Sequence, residues 1–261
     1  MEINNKFNYI FSDNFRALFS GASAGAIGYT VTLPFDYIKQ NLQTNKKICD
    51  ISSNIRNHGT KILFRGGLIG LTSIAPQMAI KYYSFNNFNN YFDNKTYYKP
   101  IAAFGAGLID GAFLGPILAL QSFKQMTIQN KFCYKTTVKK NLGSLMIPMA
   151  LRNGIYTSTV LGGYFIIKDK YYDNNKNNFF NNFLLTSMLN VPATIFCSPF
   201  DVLRARHNYN LLLNQKEHVD LDIVFRDILK KDGLRGFFKG YISMYVNFAL
   251  RFPLTFSLQF L

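Results

Sequence analysis

A proline followed two residues later by an acid and five residues later by a base occurs twice, each time after an apolar run. The first copy is Pro34-Phe35-Asp36-Tyr37-Ile38-Lys39 and the second is Pro199-Phe200-Asp201-Val202-Leu203-Arg204. A degenerate copy, Pro116-Ile117-Leu118-Ala119-Leu120-Gln121, lies between them, so the prolines fall 82 and 83 residues apart. A unit that long is too large for a solenoid repeat and too regular for chance. The acid and the base stand three residues apart, so on a helix they share a face. A proline inside a helix removes one backbone hydrogen bond and bends the axis. The chain therefore reads as three variants of one helical unit, over about 15–95, 99–172 and 179–261, within a single domain of 261 residues.

The apolar stretches set the fold class. Segments from Phe15 to Gln43, Leu68 to Phe88, Pro100 to about Gln129, Leu145 to Ile167, Phe179 to about Asn208 and from Gly240 to the last residue are each long enough for a bilayer core, which takes roughly 20 residues. The first is expected to break near Pro34. Thr, Ser, Asn and single Lys or Arg residues interrupt all six, as in helices with one face on lipid and one on a watery interior. Gly21 and Gly25, with small neighbours, allow close helix contact. Short polar stretches after the first, third and fifth segments leave room for amphipathic helices, and Leu221, Val224, Ile228 and Leu229 mark one.

The formal net charge is +15, with 29 basic and 14 acidic residues. The basic residues are scattered over loops and segment ends, and no nucleic-acid-binding signature accompanies them. Basic loops beside apolar segments fit anionic lipid headgroups instead. A mean hydropathy of +0.01 suits a membrane protein with a polar interior. Cys49, Cys133 and Cys197 have no pairing or metal-ligand spacing and are read as unpaired. Met1 to Phe11 lacks the pattern of a signal peptide. No P-loop, dinucleotide turn or paired-carboxylate cleft appears, and His58, His207 and His218 lie away from any nucleophile, so the chain is not read as an enzyme.

With both half-motifs in place, the sequence resembles the mitochondrial carrier family. Pro34, Asp36 and Lys39 are followed by Gly59, Phe64, Arg65 and Gly66, with His58 where an acid is expected. Pro199, Asp201 and Arg204 are followed by Asp232, Gly233, Phe238, Lys239 and Gly240. The middle unit has Leu118 and Gln121 for the charges and Gly143-Ser144-Leu145 for the aromatic-base-glycine motif. The resemblance implies an all-α membrane protein of six transmembrane helices in three pseudo-symmetric repeats around a central cavity, with short matrix-side helices. It implies alternating-access transport across the mitochondrial inner membrane by a multi-pass monomer. No cofactor and no nucleic-acid partner are expected; membrane lipids are, with cardiolipin as a compatible bound lipid.

The same resemblance implies a matrix gate of Asp36, Lys39, Gln121, Asp201 and Arg204, braced by Gln43 and Gln125. By its pairing rule Asp201 meets Lys39, Asp36 meets the amide of Gln121, and Arg204 meets Leu118, which offers nothing. Substrate contacts are implied at Ser73, Asn247 and the pair Arg152-Asn153, with Lys81, Arg251 and Tyr29 as further cavity residues. Lys81, Arg152 and Arg251 together would attract an anion, of the carboxylate or nucleotide class. Asp110 is open between a partner for Arg152, a proton site and a place outside the cavity. The aromatics of the last two segments are read as lipid-facing. On the cytoplasmic side, the expected charged positions hold Asn86, Asn89, Phe165, Lys168 and Gln259, nearly without ion pairs. The alternative reading is a carrier-derived membrane protein without transport activity, acting as a docking or morphology factor.

Overall fold

The computed structural model describes residues 23, 25–44, 46–93, 95–126, 138–171, 179–213 and 219–259. Among these, secondary structure is entirely helical. We label the helices α1 (25–43), α2 (Ile48–His58), α3 (Gly67–Tyr91), α4 (Lys99–Met126), α5 (Leu142–Thr157), α6 (Gly163–Tyr171), α7 (Phe179–Leu213), α8 (Leu221–Asp232) and α9 (Tyr241–Gln259). A π-helical turn, Ser158–Gly162, joins α5 to α6 without a break. The polar lead-in, Gly21, the short stretch near Lys135 and the cysteine at 133 lie outside the described residues.

The break expected at Pro34 is absent: α1 is helical through the proline. Pro116 and Pro199 likewise sit inside α4 and α7. A proline costs the helix one hydrogen bond and a bend, but not its continuity, when neighbouring helices hold both halves. The expected amphipathic helices after the first and fifth segments are α2 and α8. Val224 and Ile228 of α8 are buried in a cluster with Phe123, Leu145, Val202 and Phe237, while Leu229 faces outward at 37% exposure.

The two intact half-motifs fold alike. A 3₁₀ turn, Thr60–Phe64, lies between Gly59 and Gly66, and another, Leu234–Phe238, between Gly233 and Gly240. All four glycines have positive φ, from 63° to 77°, a region where a side chain is strained. Leu145, which stands in the middle unit where Gly66 and Gly240 stand in the others, sits inside α5 instead. The middle unit has therefore lost this turn in structure as well as in sequence.

Long helices are neighbours in sequence order. The contacts run from α3 to α4, α5, α7 and α9, and α9 returns to α1 where Ser243 Oγ donates to Phe35 O at 3.3 Å. Glycines set the closest approach. A Cβ built on Gly107 would lie 2.4 Å from Asn153 O, and one on Gly111 2.4 Å from Met149 O. Small residues at four-residue spacing thus bring the α4 and α5 backbones together.

Many polar side chains are buried alongside the apolar core, and many large apolar ones are exposed. Lys39, Gln40, Asp110, Asn190 and Asp201 are among many buried polar side chains, whereas Leu68, Phe113, Met188, Phe196 and Ile242 are exposed by more than half. Among the described residues, two helices are long and apolar enough to cross a membrane, Thr96–Met126 and Phe180–Leu213. The sequence marks six such segments. The first and last segments run partly outside the described residues, and polar side chains interrupt two others: α3 carries Ser73, Gln77, Lys81 and the Asn86–Asn90 run, and α5 carries Arg152 and Asn153.

Candidate functional site

The repeated motif converges on one carboxylate. Lys39 Nζ of α1 donates to Asp201 Oδ2 of α7 at 2.8 Å. Asp201 is fully buried, and its other oxygen lies 3.4 Å from Arg152 Nε of α5 and 3.7 Å from Arg204 Nε of its own helix. Those two nitrogens and Oδ1 are buried and form no hydrogen bonds. Lys39 Nζ is also 3.9 Å from Asp36. Asp36 in turn accepts from Gln121 Nε2 at 2.9 Å, Gln125 Nε2 at 3.4 Å and Asn247 Nδ2 at 3.5 Å. Gln43 is not drawn into this network. Its side-chain amide is buried without a hydrogen bond, and its carbonyl accepts from Arg206.

A second cluster lies around Asp110 of α4. Its Oδ2 accepts from Asn153 Nδ2 at 3.0 Å and Gln77 Nε2 at 3.4 Å, and lies 3.5 Å from Lys81 Nζ. Asp110 is thus the partner of Lys81, which is 8% exposed and turned to the interior. Arg152 pairs instead with Asp201, and its Nη1 donates to Asn153 Oδ1 at 2.5 Å.

Two cavities of about 60 Å³ each connect these clusters. Gln77, Arg152, Phe248 and Arg251 line both. Tyr29, Ser73 and Arg204 line the first, and Lys81 and Asn153 the second. Ser73 Oγ donates to Gly70 O at 2.7 Å. Asn247 borders neither cavity, because its amide turns to Thr32 O and Asp36. Phe248, from the aromatics read as lipid-facing, is instead 5% exposed and lies under cations: Arg152 is 4.7 Å and Lys39 5.1 Å from its ring centre. Arg251 sits 4.7 Å from the Tyr29 ring centre. Such contacts lower the cost of holding a cation away from water.

At the opposite end, Phe85 stacks on Phe165 at 5.4 Å. Here Lys99 of α4 pairs with Asp169 of α6, and Thr96 Oγ1 donates to the same carboxylate at 3.0 Å. One ion pair thus stands beside the positions where the sequence shows almost none.

A family model described as mitochondrial carrier protein matches residues 12–96 and 175–258. The chain belongs to the mitochondrial carrier family. The model covers the two units with intact motifs and passes over the middle one, whose glycine turn is missing. Among similar carriers, the mitochondrial aspartate-glutamate transporter AGC1 of Saccharomyces cerevisiae is 26% identical, over 89% of this chain and 30% of its own length. The mitochondrial adenyl nucleotide antiporter SLC25A24 of Bos taurus is 21% identical, over 86% of this chain and 53% of its own. Mitochondrial tricarboxylate transporter 1 of Mycosarcoma maydis is 24% identical, over 72% of this chain and 74% of its own. The chain thus spans less than two thirds of the first two relatives.

Two side chains at the carrier's centre escaped the sequence reading as site residues, Gln77 and Phe248, and a third, Asp110, was left open there. Gln77 carried a usable signal, standing four residues from both Ser73 and Lys81 and so on their helix face. Phe248 carried none, since an aromatic in an apolar helix has the same pattern on either face.

Proposed function

We propose that this chain is a multi-pass carrier of the mitochondrial inner membrane that moves a small carboxylate by alternating access. In this reading α1, α3, α4, α5 with α6, α7 and α9 are the six spanning helices, two from each repeat. The distribution of polarity supports it. Exposed Leu68, Phe113, Met188 and Ile242 suit lipid, and the buried polar side chains suit an aqueous path. In the same reading the Asp201–Lys39 pair and the Asp36–Gln121 contact close the matrix side, as a latch more than a source of stability.

The observation that carries the substrate class is a charge excess. Lys39, Lys81, Arg152 and Arg204 gather at the two cavities, against Asp36, Asp110 and Asp201 among the described residues, an excess of one cation, and Arg251 lines both cavities with them. Uncompensated charge in a poorly solvated interior is costly, and an entering anion relieves it. The guanidinium forks of Arg152 and Arg204 at the first cavity match a planar carboxylate in shape and charge.

The test is a thermal-shift screen of the purified full chain against dicarboxylates, phosphate and nucleotides. A ligand at about 100 times its Kd stabilises by about 2.7 kcal/mol, which raises Tm by about 5–10 °C in a chain of this size. We expect that shift with a dicarboxylate and its loss in Arg152→Ala. No shift with any anion class would refute the substrate assignment.

A further inference from the structure

The middle repeat has lost an acid at position 118 and a base at position 121. The second loss is covered, because Gln121 still serves Asp36 at 2.9 Å. The first is not. Leu118 offers no charge, and the only ion pair of Arg204 among the described residues is the 3.7 Å approach to Asp201 in its own helix. Arg152 is in a similar position, 3.4 Å from the same oxygen. Both Nε atoms are buried and without hydrogen bonds, as is the oxygen they share. Leu118, Ser122, Arg152 and Arg204 line one cavity of about 60 Å³.

Two guanidinium groups therefore crowd one oxygen of a carboxylate whose other oxygen Lys39 already holds. They border a small polar space on the side where an acidic side chain is missing. A planar carboxylate matches a guanidinium fork in shape and charge. Arg204 thus has the chemistry of a ligand contact rather than that of a closing contact.

We propose that a substrate carboxylate binds between Arg152 and Arg204, in the place left by Leu118, and completes the third link between repeats only while the cavity is loaded. Bound there, it draws both arginines from Asp201 Oδ1 and leaves Asp201 to Lys39. Charges that elsewhere would only close the gate then also select an anion that carries a carboxylate. The inference rests on the anion-carrier reading above.

The experiment puts the missing acid back. Leu118→Glu, with Leu118→Gln as the neutral control, and Arg204→Gln are compared with the unmodified full chain by thermal shift, using succinate and inorganic phosphate as probes. In Leu118→Glu the new carboxylate occupies the arginines, so the ligand-free melting temperature rises and succinate binds at least about tenfold more weakly. Arg204→Gln weakens succinate similarly, and Leu118→Gln stays within about threefold of the unmodified chain. If Leu118→Glu does not fold, Arg204→Gln against Leu118→Gln decides. Succinate binding unchanged in Leu118→Glu and Arg204→Gln but lost in Arg152→Ala overturns this inference alone. Binding to phosphate but not succinate overturns the carboxylate assignment. No shift with either probe in the unmodified chain overturns both readings.

Discussion

Asp201→Asn lowers the melting temperature of the purified protein by about 10 °C. The carboxylate is fully buried, and three cations reach it, Lys39 at 2.8 Å, Arg152 at 3.4 Å and Arg204 at 3.7 Å. Removing one partner of a buried ion pair costs about 3–5 kcal/mol because the other charge is left uncompensated, and each kcal/mol moves Tm by about 2–4 °C at this chain length. Here the amide would leave three cations with Asp36, 3.9 Å from Lys39, as the remaining nearby acid. Lys39→Gln is the informative contrast. It removes one of three cations from an over-supplied carboxylate, so it lowers Tm by less than half as much. The double exchange Lys39→Asp with Asp201→Lys does not restore stability, since a lysine at 201 would face Arg152 and Arg204. Equal losses for Asp201→Asn and Lys39→Gln, with full rescue by the exchange, would show a simple two-residue latch instead.

Gly111→Val prevents recovery of monodisperse protein, and Gly111→Ala lowers Tm by about 3–10 °C. A Cβ at this position lies 2.4 Å from Met149 O and 2.6 Å from Ala150 Cα. Both are backbone atoms of α5, so relief requires moving the helix rather than a rotamer. Overpacking of this kind costs about 1–3 kcal/mol for one methyl, and each kcal/mol is worth about 2–4 °C. Displacing α5 also displaces Arg152 and Asn153, one turn further along, so anion binding should weaken beyond the loss of stability. Gly143→Ala is the control, since a Cβ there meets nothing within 4 Å. Size-exclusion profiles and circular-dichroism melts separate these outcomes. A Gly111→Ala variant that melts with the parent would mean that α4 and α5 are not in close backbone contact.

What the sequence shows and what it hides follow from the physics of each feature. The helices were legible because apolar runs, proline and paired charges act locally, whereas the second half-motif marked where the two glycine turns lie without showing their shape. Lys39 meeting Asp201, and Asp36 meeting Gln121, followed from the pairing rule of the carrier family that the motifs resemble. Asp110 was visible as an acid in an apolar segment, but its partner was not. That depends on which face of α4 meets α3 and α5, and the close contact at Gly107 and Gly111 settles it. The convergence of Arg152 on Asp201 was hidden for the same reason, as was the inward turn of Phe248. Asn247 shows the opposite failure. Its place in the repeat suggests a cavity contact, but its amide is held by Thr32 O and Asp36. Periodicity identifies a helix face, and packing decides what that face meets.

The most direct test of the central claim is exchange by the reconstituted full chain. Proteoliposomes loaded with unlabelled succinate are given labelled succinate outside, and uptake is followed against protein-free vesicles. The account predicts saturable uptake that depends on the internal load and disappears in Arg152→Ala. Uptake at the level of protein-free vesicles for succinate, other carboxylates and nucleotides alike, by protein shown to be folded, would contradict it and leave a carrier fold without carriage.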